Sequence, residues 1–166
     1  MKLQAINKLT EQEAKIILLS CCCSNAWVNR MLKVRPYKST EDLYWQADNN
    51  WKNLQESDYL EAFEGHPKIG DVNSLRKKYA NTLALASSEQ SGIDTATESD
   101  LQALADGNLL YEKKFGFIFI VCATGKSANE MLQLLQQRLL NDRASELINA
   151  CEQQRKITRI RLEKLL

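Results

Sequence analysis

Apolar residues recur at three- and four-residue spacing along most of the chain, and helix-capping residues precede many of these stretches. Thr10 and Glu13 have the spacing of a capping box in front of the apolar stretch 14–23. Ser39 and the acidic residues after it predict the start of a second helix. Its apolar face is marked at four-residue intervals by Leu43, Ala47 and Trp51.

The same signals predict helices through the rest of the chain. Further helices are predicted to begin at Ser57-Asp58, at Ser99 with Gln102, at Ser127 with Glu130, and near Ala144. Gly65 and Gly107 are predicted to end the first two of these. The apolar stripes of the last two consist of Met131, Leu132, Leu135 and Leu139, and of Leu147, Cys151, Ile157 and Ile160.

Residues 115–122 differ from the rest because they are rich in aromatic and β-branched side chains. A single strand without a partner is not stable, and no second strand is evident in the sequence. We therefore predict an extended buried segment between helices. The chain has only two prolines and six glycines, and it contains no linker-like stretch. The whole chain, residues 1–166, is predicted to be one all-α domain.

The composition is that of an ordinary globular protein, with 44% hydrophobic and 26% charged residues. Lys and Arg total 22 against 21 Asp and Glu, which gives a net charge of +1. No nucleic-acid partner is expected, because phosphate binding usually requires a clear basic excess. No membrane partner is expected either, since no apolar run is long enough to cross a bilayer and the first residues lack the apolar core of a signal peptide.

Five cysteines are present, and three of them are consecutive: Cys21, Cys22, Cys23, Cys122 and Cys151. An odd number with this spacing is a poor disulfide framework and is typical of a reducing compartment. Neighbouring residues of a helix point about 100° apart, so the consecutive thiols do not converge on one metal ion. We predict small, buried, reduced thiols and no metal site.

His66 is the only histidine of the chain and the first candidate for chemistry. Pro67 disfavours helical geometry at His66, and Gly65 and Gly70 permit the close approach of a ligand. Because imidazole titrates near neutral pH, His66 is a candidate general acid or base. The alternative is an ordinary histidine in a surface loop.

Two polar stretches are further candidates for a binding site. Ser87-Ser88-Glu89-Gln90 combines groups that can bind a small polar molecule, although a solvated helix end with capping serines is the alternative. Gly125-Lys126-Ser127 resembles part of a phosphate loop, but Ile120 stands where a Walker A motif needs glycine. A loop followed by an N-capping serine is the preferred interpretation, and nucleotide binding is the weaker one.

Arg159 and Arg161 lie two residues apart in the predicted last helix and therefore point to different sides. Ile157 is about one turn from Arg161, so Arg161 points inward if Ile157 is buried. A buried guanidinium needs an anion to balance its charge. We predict that Arg161 faces a carboxylate ligand and that Arg159 faces solvent; two surface arginines are the alternative.

Taken in order, these motifs resemble the family of 2-oxo-4-hydroxy-4-carboxy-5-ureidoimidazoline (OHCU) decarboxylases over essentially the whole chain. The resemblance lies in His66-Pro67-x-Ile69-Gly70, Glu89-Gln90-x-Gly92, Tyr111-x-x-Lys114-Phe115-Gly116-Phe117 and Gly125-Lys126-Ser127. Similarity to bacterial members lies in Cys22-Cys23-Ser24, Trp27 and Arg35-Pro36. The family often has a binding serine four residues before the glutamine, where this chain has Ala86. Either Ser87 or Ser88 takes its place, or the contact is absent.

The resemblance implies a helical, cytoplasmic homodimer that converts OHCU to (S)-allantoin and CO2, the last step of urate degradation, without a metal or organic cofactor. It implies that His66 and Glu89 are catalytic. The implied substrate-binding residues are Pro67, Ser87, Ser88, Gln90, Gly116, Phe117, Ile118, Phe119, Ile120 and Arg161. The absence of a cofactor is chemically reasonable, because a carbonyl of the substrate can share the negative charge left on the ring carbon.

Two roles are open for His66 in this reaction: it can take a proton from the substrate hydroxyl or donate one to the carbanion. Glu89 can orient the imidazole or bind the ureido nitrogens, and Arg161 can pair with the carboxylate. The alternative function is a non-catalytic ligand-binding or interaction module on the same helical fold. Such a module has no reason to keep His66, Glu89 and Gln90 around a single pocket.

Overall fold

The structure is a computed structural model that describes residues 2–68, 72–77, 79 and 97–166. Every regular element in these ranges is an α-helix, which confirms the predicted all-α fold. The helices are α1 (Leu3–Lys8), α2 (Glu11–Cys21), α3 (Asn25–Lys33), α4 (Thr40–Trp51), α5 (Glu56–Glu64), α6 (Glu98–Phe115), α7 (Ala128–Arg138) and α8 (Arg143–Leu165). Residues 72–77 are helical as well. No described helix is long and apolar enough to pass through a membrane.

The chain divides into two compact units. The first unit consists of Met1–His66 together with Cys151–Leu166, and the second unit is Pro67–Ala150. Helix α8 contributes to both, because its residues up to Ala150 belong to the second unit and those from Cys151 belong to the first.

Aromatic and aliphatic side chains form the core of the first unit, in which Trp27 and Leu162 are fully buried. Two indole nitrogens in this core also make hydrogen bonds. Trp27 Nε1 donates to the carbonyl of Ala47 at 3.0 Å, and Trp51 Nε1 donates to the carbonyl of Cys151 at 3.1 Å. These bonds satisfy the polar atoms of large buried rings and join α4 to α3 and α8.

Several helix starts agree with the capping pattern of the sequence, and two do not. The confirmed caps are Thr10, Ser39 and Ser127, whose hydroxyls accept hydrogen bonds from backbone N–H groups. The predicted starts of α5 and α6 were each two residues too late. The N–H of Gln55 donates to Asp58 at 3.0 Å, and the N–H of Thr97 donates to Asp100 at 2.8 Å. Both helices therefore begin with a capping box in which aspartate is the third helical residue and accepts a hydrogen bond from the backbone N–H of the N-cap. Glutamate or glutamine is commoner at this position.

The prediction that α6 ends near Gly107 is wrong. The helix continues to Phe115 and is capped by Gly116, whose φ of +80° favours glycine. A Cβ added at Gly107 would lie 2.6 Å from Cδ2 of Leu135, a residue of α7 that is fully buried. Gly107 therefore permits close packing of α7 on α6 and is not a helix stop.

The buried face of α8 also differs from the prediction. The expected apolar stripe of Leu147, Cys151, Ile157 and Ile160 is only half-buried. The fully or nearly buried residues recur every four positions instead, and they are Glu146, Ala150, Gln154, Thr158 and Leu162. The helix thus packs on a line in which most side chains are polar.

A buried ion pair organises the second unit. Glu146 is fully buried, accepts a hydrogen bond from the Tyr111 hydroxyl, and pairs with Arg138. Arg138 also donates through Nη1 to the Ile120 carbonyl at 2.6 Å and lies 4.7 Å from the centroid of the Phe119 ring. Because a buried carboxylate is costly unless it is paired, these contacts hold α7, α8 and the segment after α6 together.

The segment after α6 is neither helical nor part of a ladder with any described residue, as predicted for residues 116–122, whereas Phe115 is still the last residue of the helix. Phe117, Phe119 and Ile120 are buried in it, and Ile118 is half-buried.

All five cysteines are free thiols, as predicted. Two of them, Cys21 and Cys22, are buried, and the other three are half-buried. Among the described residues, no three side chains of His, Cys, Asp or Glu come together as a possible metal site.

We expect Gly107→Ala to destabilise the protein by about 1–2 kcal/mol. This loss should occur although alanine favours a helix over glycine by about 1 kcal/mol, because the new Cβ collides with Leu135. Urea unfolding of the variant, alone and combined with Leu135→Val, measures the effect. Valine removes the colliding methyl group, so Gly107→Ala should be neutral or stabilising in that background. An equal loss in both backgrounds would contradict the packing role.

Candidate active site

The end of α5 places His66 in the first unit. Gly65 caps this helix, and the backbone N–H of His66 donates to the Phe63 carbonyl at 3.1 Å. A Cβ added at Gly65 would collide with the Cys23 thiol and lie 2.7 Å from Cys23 Cβ. Glycine is therefore required for the direct packing of this loop against Cys23, and that packing fixes the backbone that presents His66.

A chain of hydrogen bonds joins His66 to α8. His66 Nε2 lies 2.6 Å from Gln154 Oε1, and Gln154 Nε2 donates to Thr158 Oγ1 at 3.1 Å. Gln154 and Thr158 are both buried. A buried amide is costly unless its polar atoms have partners, and here both ends of the amide have one.

The pKa of His66 is lowered from its ordinary value, and burial is the largest cause. The positive charge of Arg161 lowers this pKa further, whereas the hydrogen bond to Gln154 raises it. The net direction makes the imidazole neutral at neutral pH. A neutral imidazole can accept a proton, as a general base must.

Arg161 lies on the same side of α8 as Gln154, since seven residues make nearly two helical turns. Its side chain is half-buried, and Nη1 donates to the carbonyl of Cys21 at 3.1 Å. Its charge acts on the pKa of His66. The structure thus brings together two of the residues that the sequence singled out, one imidazole and one guanidinium.

The prediction that Arg159 faces solvent is wrong. Its Nη2 donates to Asp48 Oδ2 at 3.0 Å, and the guanidinium lies 4.2 Å from the centroid of the Tyr44 ring. Asp48 also pairs with Arg155 at 3.0 Å. Helix α4 supplies both Tyr44 and Asp48, so it provides an anion and an aromatic face for an arginine that helical spacing alone assigned to the surface.

The other predicted contacts that the structure describes belong to the second unit. Pro67 is exposed. Residues Gly116–Ile120 begin with Gly116, the C-cap of α6, and Arg138 donates a hydrogen bond to the carbonyl of Ile120. Ser127 caps α7 and accepts a hydrogen bond from the N–H of Glu130 at 3.2 Å, which is the role preferred for it over phosphate binding.

The remaining candidates lie outside the described residues. They are Ser87, Ser88, Glu89 and Gln90. Their parts in a site stay predictions.

Gln154 and Thr158 are polar residues of the site that the sequence analysis did not single out. An apolar stripe is the usual guide to a buried helix face, and glutamine is ordinarily a surface residue. One signal was present, because Ala150 and Leu162 stand in the same four-residue register as these two polar side chains. Apolar residues in the same register as the two polar ones indicate that this face of the helix is buried.

Comparison with known proteins adds independent information. The model of the OHCU decarboxylase family matches residues 7–163. The uric acid degradation bifunctional protein TTL of Arabidopsis thaliana is 37% identical over 158 residues, which cover 95% of this chain and 48% of that protein. A uric acid degradation bifunctional protein of Bacillus sp. (strain TB-90) is 26% identical, with 99% of this chain and 32% of that protein covered. The chain thus spans about half the length of the first relative and about a third of the second.

A solved structure is similar over nearly its full length. It is a crystal structure of an OHCU decarboxylase in the presence of (S)-allantoin, with a TM-score of 0.69 and 35% sequence identity. The match covers 89% of this chain and 94% of that one. Because the family model also matches most of the sequence, the chain belongs to the OHCU decarboxylase family.

Proposed function

We propose that this chain decarboxylates OHCU to (S)-allantoin and CO2 without a metal or organic cofactor, in the degradation of urate. The observation that supports this most directly is a half-buried His66 whose pKa is lowered by burial and by the positive charge of Arg161, which is itself held by the Cys21 carbonyl. A neutral base beside a fixed positive charge suits a substrate that carries both an ionisable hydroxyl and a carboxylate.

Arg161 is proposed to bind the substrate carboxylate before it leaves. The guanidinium is planar and can donate two parallel hydrogen bonds, which orient a carboxylate better than a point charge does. An orientation out of the ring plane lets the electrons of the breaking carbon–carbon bond enter the neighbouring unsaturated system of the ring. The substrate itself is thus the electron sink, and the protein only needs to orient it and to move protons.

His66 is proposed to act first as a base and then as an acid. In its neutral state it takes the proton of the substrate hydroxyl, and the bond to the carboxylate breaks to release CO2. The deprotonated oxygen becomes a carbonyl, and the imidazolium returns a proton to one face of the neighbouring ring carbon that carries the ureido group, which sets the S configuration. Since a carboxylate leaves as a neutral molecule, the reaction also takes up one proton from solvent.

Further contacts complete the proposal. Glu89 would orient His66 or bind the ureido nitrogens, and Gln90 with Ser87 or Ser88 would bind the ureide. Pro67 and the backbone of residues 116–120 would contact the ring. We also propose that residues 1–166 act as one family domain, which the match over residues 7–163 supports. A cytoplasmic location is a prediction from the resemblance to bacterial members.

Replacing His66 tests the catalytic assignment. His66→Asn should slow enzymatic formation of (S)-allantoin by about 100-fold or more, with no loss of helical content, because asparagine is polar but cannot exchange a proton. Freshly generated OHCU is supplied, and circular dichroism follows the chirality of the allantoin formed. Spontaneous decay without protein is the baseline. A variant that keeps more than about a tenth of the wild-type rate would contradict the catalytic assignment of His66, whereas a wild type no faster than the baseline would favour the non-catalytic module.

The two arginines of α8 form a matched pair for the carboxylate assignment. Arg161→Lys should lower kcat/KM by about tenfold or more, because lysine cannot reproduce the two-bond fork. Arg159→Lys keeps a cation for Asp48 and should change kcat/KM little, although it weakens the contact with Tyr44. Steady-state kinetics and thermal unfolding of both variants separate activity from stability. Equal, small kinetic effects would assign the carboxylate to another donor.

We also propose that the chain forms a homodimer through the second unit. Leu109 and Leu110 are 54% exposed, Leu140 is 85% exposed and Ile148 is 70% exposed. All four belong to the second unit. Large apolar side chains exposed in this number are costly in water and are typical of a surface that another chain covers.

Sedimentation velocity tests the dimer. The wild type should sediment at twice the mass of the chain, and Leu140→Glu combined with Ile148→Glu should produce the monomer, because charges are costly in an apolar interface. Ile16→Glu changes an exposed apolar residue of the first unit and should leave the dimer intact. A monomeric wild type, or a dimer that only Ile16→Glu disrupts, would contradict the proposal.

A further inference from the structure

Gln154 connects the imidazole of His66 to the interior of the first unit. Its exposed fraction is 0%, and its two amide atoms contact different groups, His66 through Oε1 and Thr158 through Nε2. A hydrophobic residue of similar size could fill this volume without the cost of desolvating an amide. Packing therefore does not account for a glutamine here, and its contribution lies in its two hydrogen bonds.

The orientation of the Gln154 amide follows from the next contact along the chain. Gln154 Nε2 donates to Thr158 Oγ1 at 3.1 Å. The amide nitrogen carries the donor hydrogens of the side chain and the amide oxygen only accepts, so the NH2 group is the end that points to Thr158. The amide oxygen of Gln154 then faces His66.

An amide oxygen only accepts hydrogen bonds, and this decides the state of the ring nitrogen opposite to it. At 2.6 Å from Gln154 Oε1, His66 Nε2 must carry the hydrogen. We propose that Gln154 is a positioning residue that holds neutral His66 in the Nε2–H tautomer and leaves Nδ1 as the nitrogen that accepts the substrate proton. This inference rests on the proposed decarboxylase function.

Fixing the tautomer matters because the two ring nitrogens point in different directions. In the other neutral tautomer, Nδ1 carries the hydrogen and cannot accept a proton. A catalytic histidine held in the wrong tautomer loses orders of magnitude in rate even when its position is unchanged. Gln154, which is oriented by its hydrogen bond to Thr158, therefore determines which nitrogen of the imidazole is basic.

The groups around His66 are few in the part of the first unit that the structure describes. The charge of Arg161 on α8 acts on the imidazole, and the thiols of Cys22 and Cys23 belong to the residues between α2 and α3. Burial raises the pKa of Cys22 to about 11, so it is a neutral thiol in the range where imidazole titrates. An acidic limb of the pH–rate profile should therefore follow His66.

Because His66 is the only histidine of the chain, its tautomer can be observed directly. In protein labelled with ¹⁵N-histidine, nitrogen NMR gives one pair of imidazole signals and separates protonated from unprotonated nitrogens. Above the pKa of His66, the wild type should show a single tautomer with hydrogen on Nε2, and Gln154→Leu should show both. A wild type with hydrogen on Nδ1, or a Gln154→Leu spectrum equal to the wild type, would overturn the proposal.

Kinetics give a second, independent readout. Gln154→Glu places a carboxylate against Nε2, which favours the imidazolium and should move the acidic limb toward higher pH by about one pH unit or more. Gln154→Leu removes a bond that favours the imidazolium, so the limb should move toward lower pH, while kcat falls and KM stays near the wild-type value. Gln153→Glu adds the same charge one residue earlier, rotated by about 100°, and should move the limb little.

The outcomes separate this inference from the proposed function. If the wild type forms no (S)-allantoin but shows the Nε2–H tautomer, the function is wrong and the tautomer assignment stands. If the wild type is active but the two Gln154 variants move the acidic limb in the same direction, or not at all, the positioning role is wrong. Should Gln154→Leu fail to fold, the nearly isosteric Gln154→Glu and the wild-type spectrum still decide the question.

Discussion

Polar side chains buried along one line of α8 must each find a hydrogen-bond partner, and much of the structure is arranged to supply those partners. In the second unit, Glu146 forms an ion pair with Arg138 and accepts a hydrogen bond from Tyr111. Arg138 also donates a hydrogen bond to the backbone of the segment after α6. In the first unit, the Gln154 amide is hydrogen-bonded to His66 at one end and to Thr158 at the other. An unpaired amide or carboxylate at these positions would cost several kilocalories per mole, so these contacts are obligatory for the fold.

The same requirement produces the chemistry of the candidate site. Burial and the charge of Arg161 both favour the neutral imidazole of His66, and the hydrogen bond to Gln154 opposes them only in part. The residue is thus poised to accept a proton at neutral pH, although no carboxylate partner is part of the described geometry. An amide can direct the hydrogen to one nitrogen without greatly stabilising the imidazolium, which a carboxylate would do. The orientation of the His66 imidazole is therefore controlled by Gln154, and its basicity mainly by burial and by the charge of Arg161.

Local signals in the sequence predicted the all-helical fold, three of the caps and the interruption of the helices after residue 115, because each depends on a few adjacent residues. The predictions failed where a distant residue decides the outcome. Gly107 resembles a helix stop until Leu135 packs against it, and Arg159 resembles a surface residue until Asp48 and Tyr44 are brought to it. His66 and Arg161 could be singled out by residue type and family resemblance. Gln154 could not, since a glutamine on a polar helix is common and its burial depends on packing across 88 residues of chain.

The division of the chain into a continuous and a discontinuous unit has a consequence for its synthesis. Pro67–Ala150 is one uninterrupted stretch, whereas the core around Trp27 also needs Leu162 from the last helix. A chain emerging from the ribosome therefore has all of the second unit available before the first unit can close. Until residues 151–166 emerge, the apolar faces of α2, α3 and α4 remain open to chaperones. His66 therefore meets Gln154 only after the chain has grown by a further 88 residues.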